Sequence, residues 1–529
     1  MPQNHRAILK NAVIRRSAFL PIAALILMGC GAALAVTGPT TVFIAGKGDI
    51  VGTNPATQLS IAGPPAVDAA GDVAFRTVRT IVNNNGATDT CILLYSGTNI
   101  TTVVATKDPS NPAPGTNGAI FNAISDPVLS GSGALAFIGG LQVGAYGASG
   151  VTASDDSGIW VYDSGTTSLV HRTGDIPDTG SNFPVPVAYS SFNQVAVDDT
   201  GTITFLAGLQ GHGVSTAGLF HDAQLLVVKG PGGGQMAPSY SAFVPLPYVS
   251  GQSRTLDTVN GNIAVYGQLN LPFSRTIALA QPPDFQLTDT LETGDAAADL
   301  FGVTIKSFGE PAVNASGEIA FLMGLEGSGI KPANNSAIEV YSGTQGTLIA
   351  QTGGFAPDET GTLTRDVFDI LTNPVLNNNG AVAFVGKLRP GQSNVRRRQG
   401  VWSNAGGTLK QVALEGQPAP GGGKFSYFKQ IVLPDHGDVI LLANLVDVPR
   451  KDDRGIWAME DNGSLVKVVR TGDLLEFHGV EKEVKSLAVF LYAAHETGQS
   501  RSFDASTANL VYQATFTDGN WGIYEVTFP

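Results

Sequence analysis

Four arginines, Arg389, Arg396, Arg397 and Arg398, stand close together in a chain whose formal net charge is −13. A guanidinium holds a carboxylate or phosphate through two parallel N–H donors, so this group is a candidate grip for an acidic ligand. The plainer reading is a solvated loop tip, where runs of charge usually lie. Tyr146, Asp155 and Asp156 fall in another long polar stretch and suit contact with a sugar or a cation. An exposed polar loop accounts for them equally.

No catalytic, cofactor or metal signature accompanies these residues. The seven histidines are scattered and make no His-Glu-x-x-His zinc pattern. There is no Gly-x-Ser-x-Gly elbow, phosphate loop or dinucleotide fingerprint, so no catalytic or cofactor-binding residue is assigned. Turns such as 68–71 and 198–201 superficially resemble calcium loops, yet each supplies one or two oxygen ligands where calcium needs several. Cys91 lies in an apolar run, 91–95, and reads as a small buried hydrophobe rather than a nucleophile. The acidic balance argues against nucleic acid, which requires a basic surface.

The elements that must position any site come from a repeat. A Gly followed by Ala-Phe or a variant marks Gly71, Gly133, Gly201, Gly261, Gly317, Gly380 and Gly437, at spacings of 62, 68, 60, 56, 63 and 57 residues. A degenerate eighth copy spans 503–512. Each unit holds about four short strands, the content of one propeller blade. The first strand is an apolar stretch such as 121–129 or 425–433. A turn follows, opened by Asp68, Ser130, Asp198, Thr258, Asn314 or Asn377, whose side chains bond the backbone ahead. The second strand alternates small and large apolar residues, the third carries Gly-Ile-Trp or a variant, and the fourth closes on Gly-Asp.

Counting these elements predicts an all-β fold, a β-propeller of eight four-stranded blades, with seven as the alternative count. The last unit lacks a fourth strand, whereas 41–45 (Thr-Val-Phe-Ile-Ala) is a fourth strand without a unit. Together they complete one blade and close the ring, which removes its open edges. Residues 36–529 thus read as a single propeller built of repeats of about 56–72 residues.

Before it comes an export segment. Arg6, Lys10, Arg15 and Arg16 precede an apolar run, 18–28, and Ala33-Leu34-Ala35 is a small-x-small cleavage site. Residues 1–35 therefore read as a signal peptide, and the apolar run is short for a membrane span. Leu27-Met28-Gly29-Cys30 offers a second reading as a lipoprotein box, with Cys30 acylated. Either way Cys91 is left without a thiol partner.

The repeat resembles the choice-of-anchor tandem family named for its NxxGxxAF motif. Residues 377–384 (Asn-Asn-Asn-Gly-Ala-Val-Ala-Phe) and 314–321 match it in full. The resemblance implies an exported bacterial protein and no established activity, so it assigns no functional residue. The chain ends at 526–529 without the apolar anchor that name suggests, leaving Cys30 as the visible candidate.

In such a blade the turns between strands one and two, and three and four, share one face. Loops between strands two and three share the other. Here the first kind is formulaic, and the second varies, over 139–157, 209–217, 324–336, 387–399 and 446–454. Variable loops on a rigid scaffold are where binding concentrates. The expected function is therefore a non-catalytic binding or cell-envelope scaffold role, with an unknown glycan or protein as ligand and a monomer as the working unit. The alternative is a propeller hydrolase or lyase acting on extracellular carbohydrate.

Overall fold

The computed structural model describes residues 38–528 except 53–55, 82–86, 98, 145–149, 180–182, 184, 230–238, 246–259, 270–273, 392–395, 436–438, 461–462, 490–501 and 505, and only the backbone of 239–245. The export segment, Cys30, Tyr146, Thr258 and Gly437 lie outside the described residues.

Alternating small and large apolar residues form strands, and glycine-bearing turns fold them into antiparallel sheets. Blade six is representative. Its first strand comes in two pieces, Leu363–Leu371 and Val375–Leu376, followed by Val382–Arg389, Arg398–Ser403 and Lys410–Leu414. Eight such blades form a ring. Blades three and four share one eight-stranded sheet through a short parallel pairing of Gln224–Lys229 with Ser239–Pro245. Blade eight takes Val480–Ala488, Leu510–Phe516 and Trp521–Thr527 from the end of the chain. Its outermost strand is Thr40–Gly46, antiparallel to Trp521–Thr527, as the strand count requires.

The repeat phenylalanines fill the seams between blades. Phe75, Phe137, Phe205, Phe321 and Phe384 are all fully buried. The ring residue of the third strand stacks on them: Phe137 on Trp160, Phe205 on Phe220 and Phe384 on Trp402, with centroids 5.2–6.1 Å apart. The indoles of Trp160, Trp402 and Trp457 each donate to a proline carbonyl at 3.0 Å, on Pro114, Pro357 and Pro420. The buried rings thus keep their polar edge satisfied.

The turns do more than reverse the chain. Asn377 Oδ1 accepts from the N–H groups of Asn379 and Ala381, as expected of an Asx turn. Its amide also donates to Pro434 O of the next blade at 2.8 Å. Asn314 bonds Asn377 O in the same way, Asn262 bonds Asn314 O, and Asn509 reaches back to Asp68 O in blade one. An amide can accept within its own turn and donate to its neighbour at once, which a carboxylate cannot. Asn377→Asp should therefore cost about 1–3 kcal/mol in denaturant unfolding, the penalty for a lost donor at a buried site. An unchanged midpoint would show that these inter-blade bonds hold nothing together.

The recurrent Gly-Asp has an equally structural cause. Asp49, Asp175, Asp295 and Asp473 each accept the N–H of the residue three positions earlier, at 2.7–3.0 Å, and so end the fourth strand. One expected loop is corrected. Over 209–217 the strands Ile203–Gly211 and Val214–His221 run on to meet at a tight His212-Gly213 turn. Gly213 takes a φ of +85°, so the hairpin closes without a variable loop.

Candidate functional site

The first strand of every blade carries a bulge at one register. In blades one to three it falls at Ser60, Asn122 and Ser190, each skipped in the pairing with strand two. In blades five to eight it falls at Lys306, Asp369, Ser426 and Lys485, and blade four slips between Tyr240 and Ala242. A bulge leaves one residue unpaired and re-aims its side chain. The other edge of this strand bonds the Gly-Asp connector from the preceding blade, as Gly353 and Gly354 bond Phe368, and Gly416 and Gln417 bond Phe425, so the bulge residues stand beside that crossing. Ile61, Ile370 and Tyr427, each next to a bulge, are 45–62% exposed.

Between blades six and seven these residues meet the arginine-bearing loop. A cavity of about 320 Å³ is lined by Lys387, Arg396, Arg397 and Glu415 on one side and by Ile370, Ser426 and Tyr427 on the other. Arg396 pairs with Glu415 at 3.2 Å and Arg397 with Asp369 at 3.1 Å, and both guanidiniums stay more than half exposed. Exposed pairs of this kind contribute about 0–1 kcal/mol and are readily exchanged for a ligand's carboxylate. Arg398 and Arg389 do not line the cavity. Arg398 braces Asp366 at 2.9 Å, and Arg389 stands 4.0 Å from Asp369.

Asp155 is occupied otherwise. It accepts from the N–H and hydroxyl of Thr152 and pairs with Arg172 at 2.9 Å. Against a desolvation penalty, those hydrogen bonds and the guanidinium hold its carboxyl below the usual range. The backbone carbonyl of Asp156 accepts from Leu141 N–H. The structure therefore does not bring Asp155 and Asp156 to the arginines. Cys91 is fully buried, and burial pushes its thiol up to about 12, so it is no nucleophile near neutral pH. Among the described residues no three His, Cys, Asp or Glu side chains are grouped to hold a metal.

Two features escaped the sequence reading. The bulges leave no mark in composition, because their register depends on the partner strand. Glu339 could have been found, since Ala337-Ile338-Glu339 occupies the Gly-Ile-Trp place of blade five and pairs with Phe321. It is fully buried, its oxygens lack a well-aligned hydrogen bond, and the backbone of Ala298 compensates weakly. Burial above all, with the charge of Asp299, pushes its carboxyl up to about 8.

Strand order, register and ring closure define a β-propeller. The chain belongs to the Family of unknown function (DUF7453), which matches residues 29–232 and again 233–527. No curated protein matches it. Among solved structures it is similar to the propeller domain of the Trilobed protease from Pyrococcus furiosus, at 11% identity over 78% of this chain and 99% of that one, with a TM-score of 0.34. The Dos1 propeller is 10% identical over 87% and 92%, with a TM-score of 0.35. An oligogalacturonate lyase in complex with manganese is 9% identical over 93% and 98%, with a TM-score of 0.34. Likeness at this level concerns the fold alone, and nothing those proteins bind or cleave carries over.

Proposed function

We propose that this chain is an exported, non-catalytic propeller that holds a glycan or protein ligand on its loop-bearing face, at the cavity between blades six and seven. That cavity supports the reading, because it joins side chains at the strand-one bulges to half-free guanidiniums on a rigid frame. Residues 1–35 direct export, and 36–529 act as a monomeric propeller. Retention through an acylated Cys30 is the alternative, and resemblance to the NxxGxxAF family supports export in either form. No helix among the described residues is long and apolar enough to cross a membrane.

The test is an array of glycans and secreted proteins probed with the mature chain and with an Arg396→Ala, Arg397→Ala, Tyr427→Ala variant. At least one ligand class should bind, and the variant should lose roughly tenfold or more in affinity, as at an interface centre. Its melting curve should not move, because all three side chains are at least half exposed. Turnover of a carbohydrate, abolished by single loop substitutions, would replace this reading with a hydrolase or lyase. Absence of any ligand, with an envelope defect on deletion, would leave a scaffold. Mass spectrometry of the exported protein should find Val36 at its N-terminus, whereas an acylated Cys30 would show lipid attachment.

A further inference from the structure

A second cavity, of about 260 Å³, lies on the same face between blades seven and eight. Arg450, Lys451 and Arg454 come to it from the loop of blade seven, and Lys485 is the strand-one bulge of blade eight. Together the two cavities are lined by seven basic and three acidic side chains, on a chain whose net charge is −13. Lys387, Arg450 and Lys485 make no ion pair among the described residues. Arg454 Nε is buried without a hydrogen-bond partner. Lys429 stands on the inner strand of blade seven, and burial and the charge of Arg454 depress its ammonium below the usual range. Lys451 pairs with Glu483 at 2.8 Å, as Arg396 and Arg397 pair with Glu415 and Asp369. The like charges left over repel one another, so the fold gains nothing from Lys387, Arg450 and Lys485.

The neighbouring groups narrow the choice of anion. Tyr427 presents a half-exposed ring beside Ile370, a surface that suits the apolar face of a sugar. Glu415 and Asp369 are acceptors matched to hydroxyl groups, and they would repel a densely charged phosphate polymer. Resting on the reading of this face as a binding surface, we infer that its ligand is an acidic oligosaccharide, a chain of carboxylate-bearing sugars laid across the seams on both sides of blade seven. Guanidinium and ammonium groups hold the carboxylates, Tyr427 carries a ring face, and Glu415 and Asp369 accept hydrogen bonds from hydroxyl groups.

Alginate oligosaccharides are the probe, measured by calorimetry against the mature chain. The controls are the same oligosaccharides after carboxyl reduction, neutral cello-oligosaccharides, and heparin. Alginate should bind, weaken with added salt, and lose about tenfold or more on carboxyl reduction, the effect of removing charge-assisted bonds. Lys387→Ala and Lys485→Ala should each weaken it several-fold, and Lys410→Ala on the outer strand of blade six should not. Equal binding of the reduced or neutral sugar, lost in the Arg396, Arg397, Tyr427 variant, overturns the acidic ligand and keeps the binding face. Heparin bound as well as alginate overturns the carboxylate preference. Alginate binding indifferent to Lys387→Ala and Lys485→Ala overturns the placement. Absence of binding to all four overturns the acidic ligand, and only an empty array overturns the binding face too.

Discussion

A chain lacking residues 36–50 should unfold at markedly lower temperature and denaturant, with all blades affected together. Thr40–Gly46 is the outer strand of blade eight, paired from Thr40 opposite Thr527 to Gly46 opposite Gly522 with one bulge at Ile44. Ile44 and Ala45 are buried in the cluster that holds Val511 and Ile523. Phe43 meets the rings of Phe477 and Tyr524 edge-on at 5.7 and 5.5 Å. Lys47 N–H then bonds Trp521 O, and Gly48 N–H bonds Leu59 O in blade one. Removing the segment strips three apolar side chains and a hydrogen-bonded ladder, a loss on the order of 5 kcal/mol. It also bares the edge of Trp521–Thr527, an invitation to aggregate. Ile44→Asp in the full chain should shift the melt in the same direction by less. A deletion that melts like the parent would mean that the ring closes elsewhere.

Stability should also fall as pH rises from about 5 to 9, with Glu339 and Asp68 supplying the slope together. The ordinary value of Glu339 is 4.5 and its folded value about 8, so folding favours the protonated carboxyl. The stability it allows is complete below the unfolded value, declines as pH climbs, and is gone above the folded one. The slope is at most about 1.4 kcal/mol per pH unit for one group. Asp299 and Tyr341 face the same space; burial and the Glu339 charge push the Tyr341 phenol up to about 12. Glu339→Gln should partly flatten the dependence of unfolding midpoint on pH between 5 and 9, leaving the share of Asp68, which burial raises to about 7. A variant with the parent's slope would move its origin away from Glu339 to Asp68 alone.

The ring itself was legible in the sequence because its causes are local. Turn residues at a fixed offset from a glycine, period-2 apolar strands and a spare fourth strand need no partner to be recognised. What joins one blade to the next was only half visible. Asn314 and Asn377 announce a turn, but their amides bond carbonyls 57–63 residues away. The site was less legible still. The arginine cluster could be seen, yet its sorting into cavity-lining Arg396 and Arg397 and bracing Arg398 depends on Asp366, Asp369 and Glu415. Those acids come from strand one and beyond strand four, and no spacing links them to the loop. The length of 209–217 misled because His212 accepts a φ of +48° and lets the strands run to the tip.

The repeat builds the ring, and in the proposed function the side chains that fail to repeat, at the bulges and second-to-third-strand loops, would meet the ligand. Hydrogen–deuterium exchange with and without alginate oligosaccharide tests that division most directly. Protection confined to peptides covering Asp366–Ile370, Lys387, Arg396–Gln399, Ser426–Gln430, Arg450–Arg454 and Val484–Ser486 is the predicted result. Protection at the Asx turns around Asp68, Asn314 and Asn377, with the loop face unchanged, would contradict it.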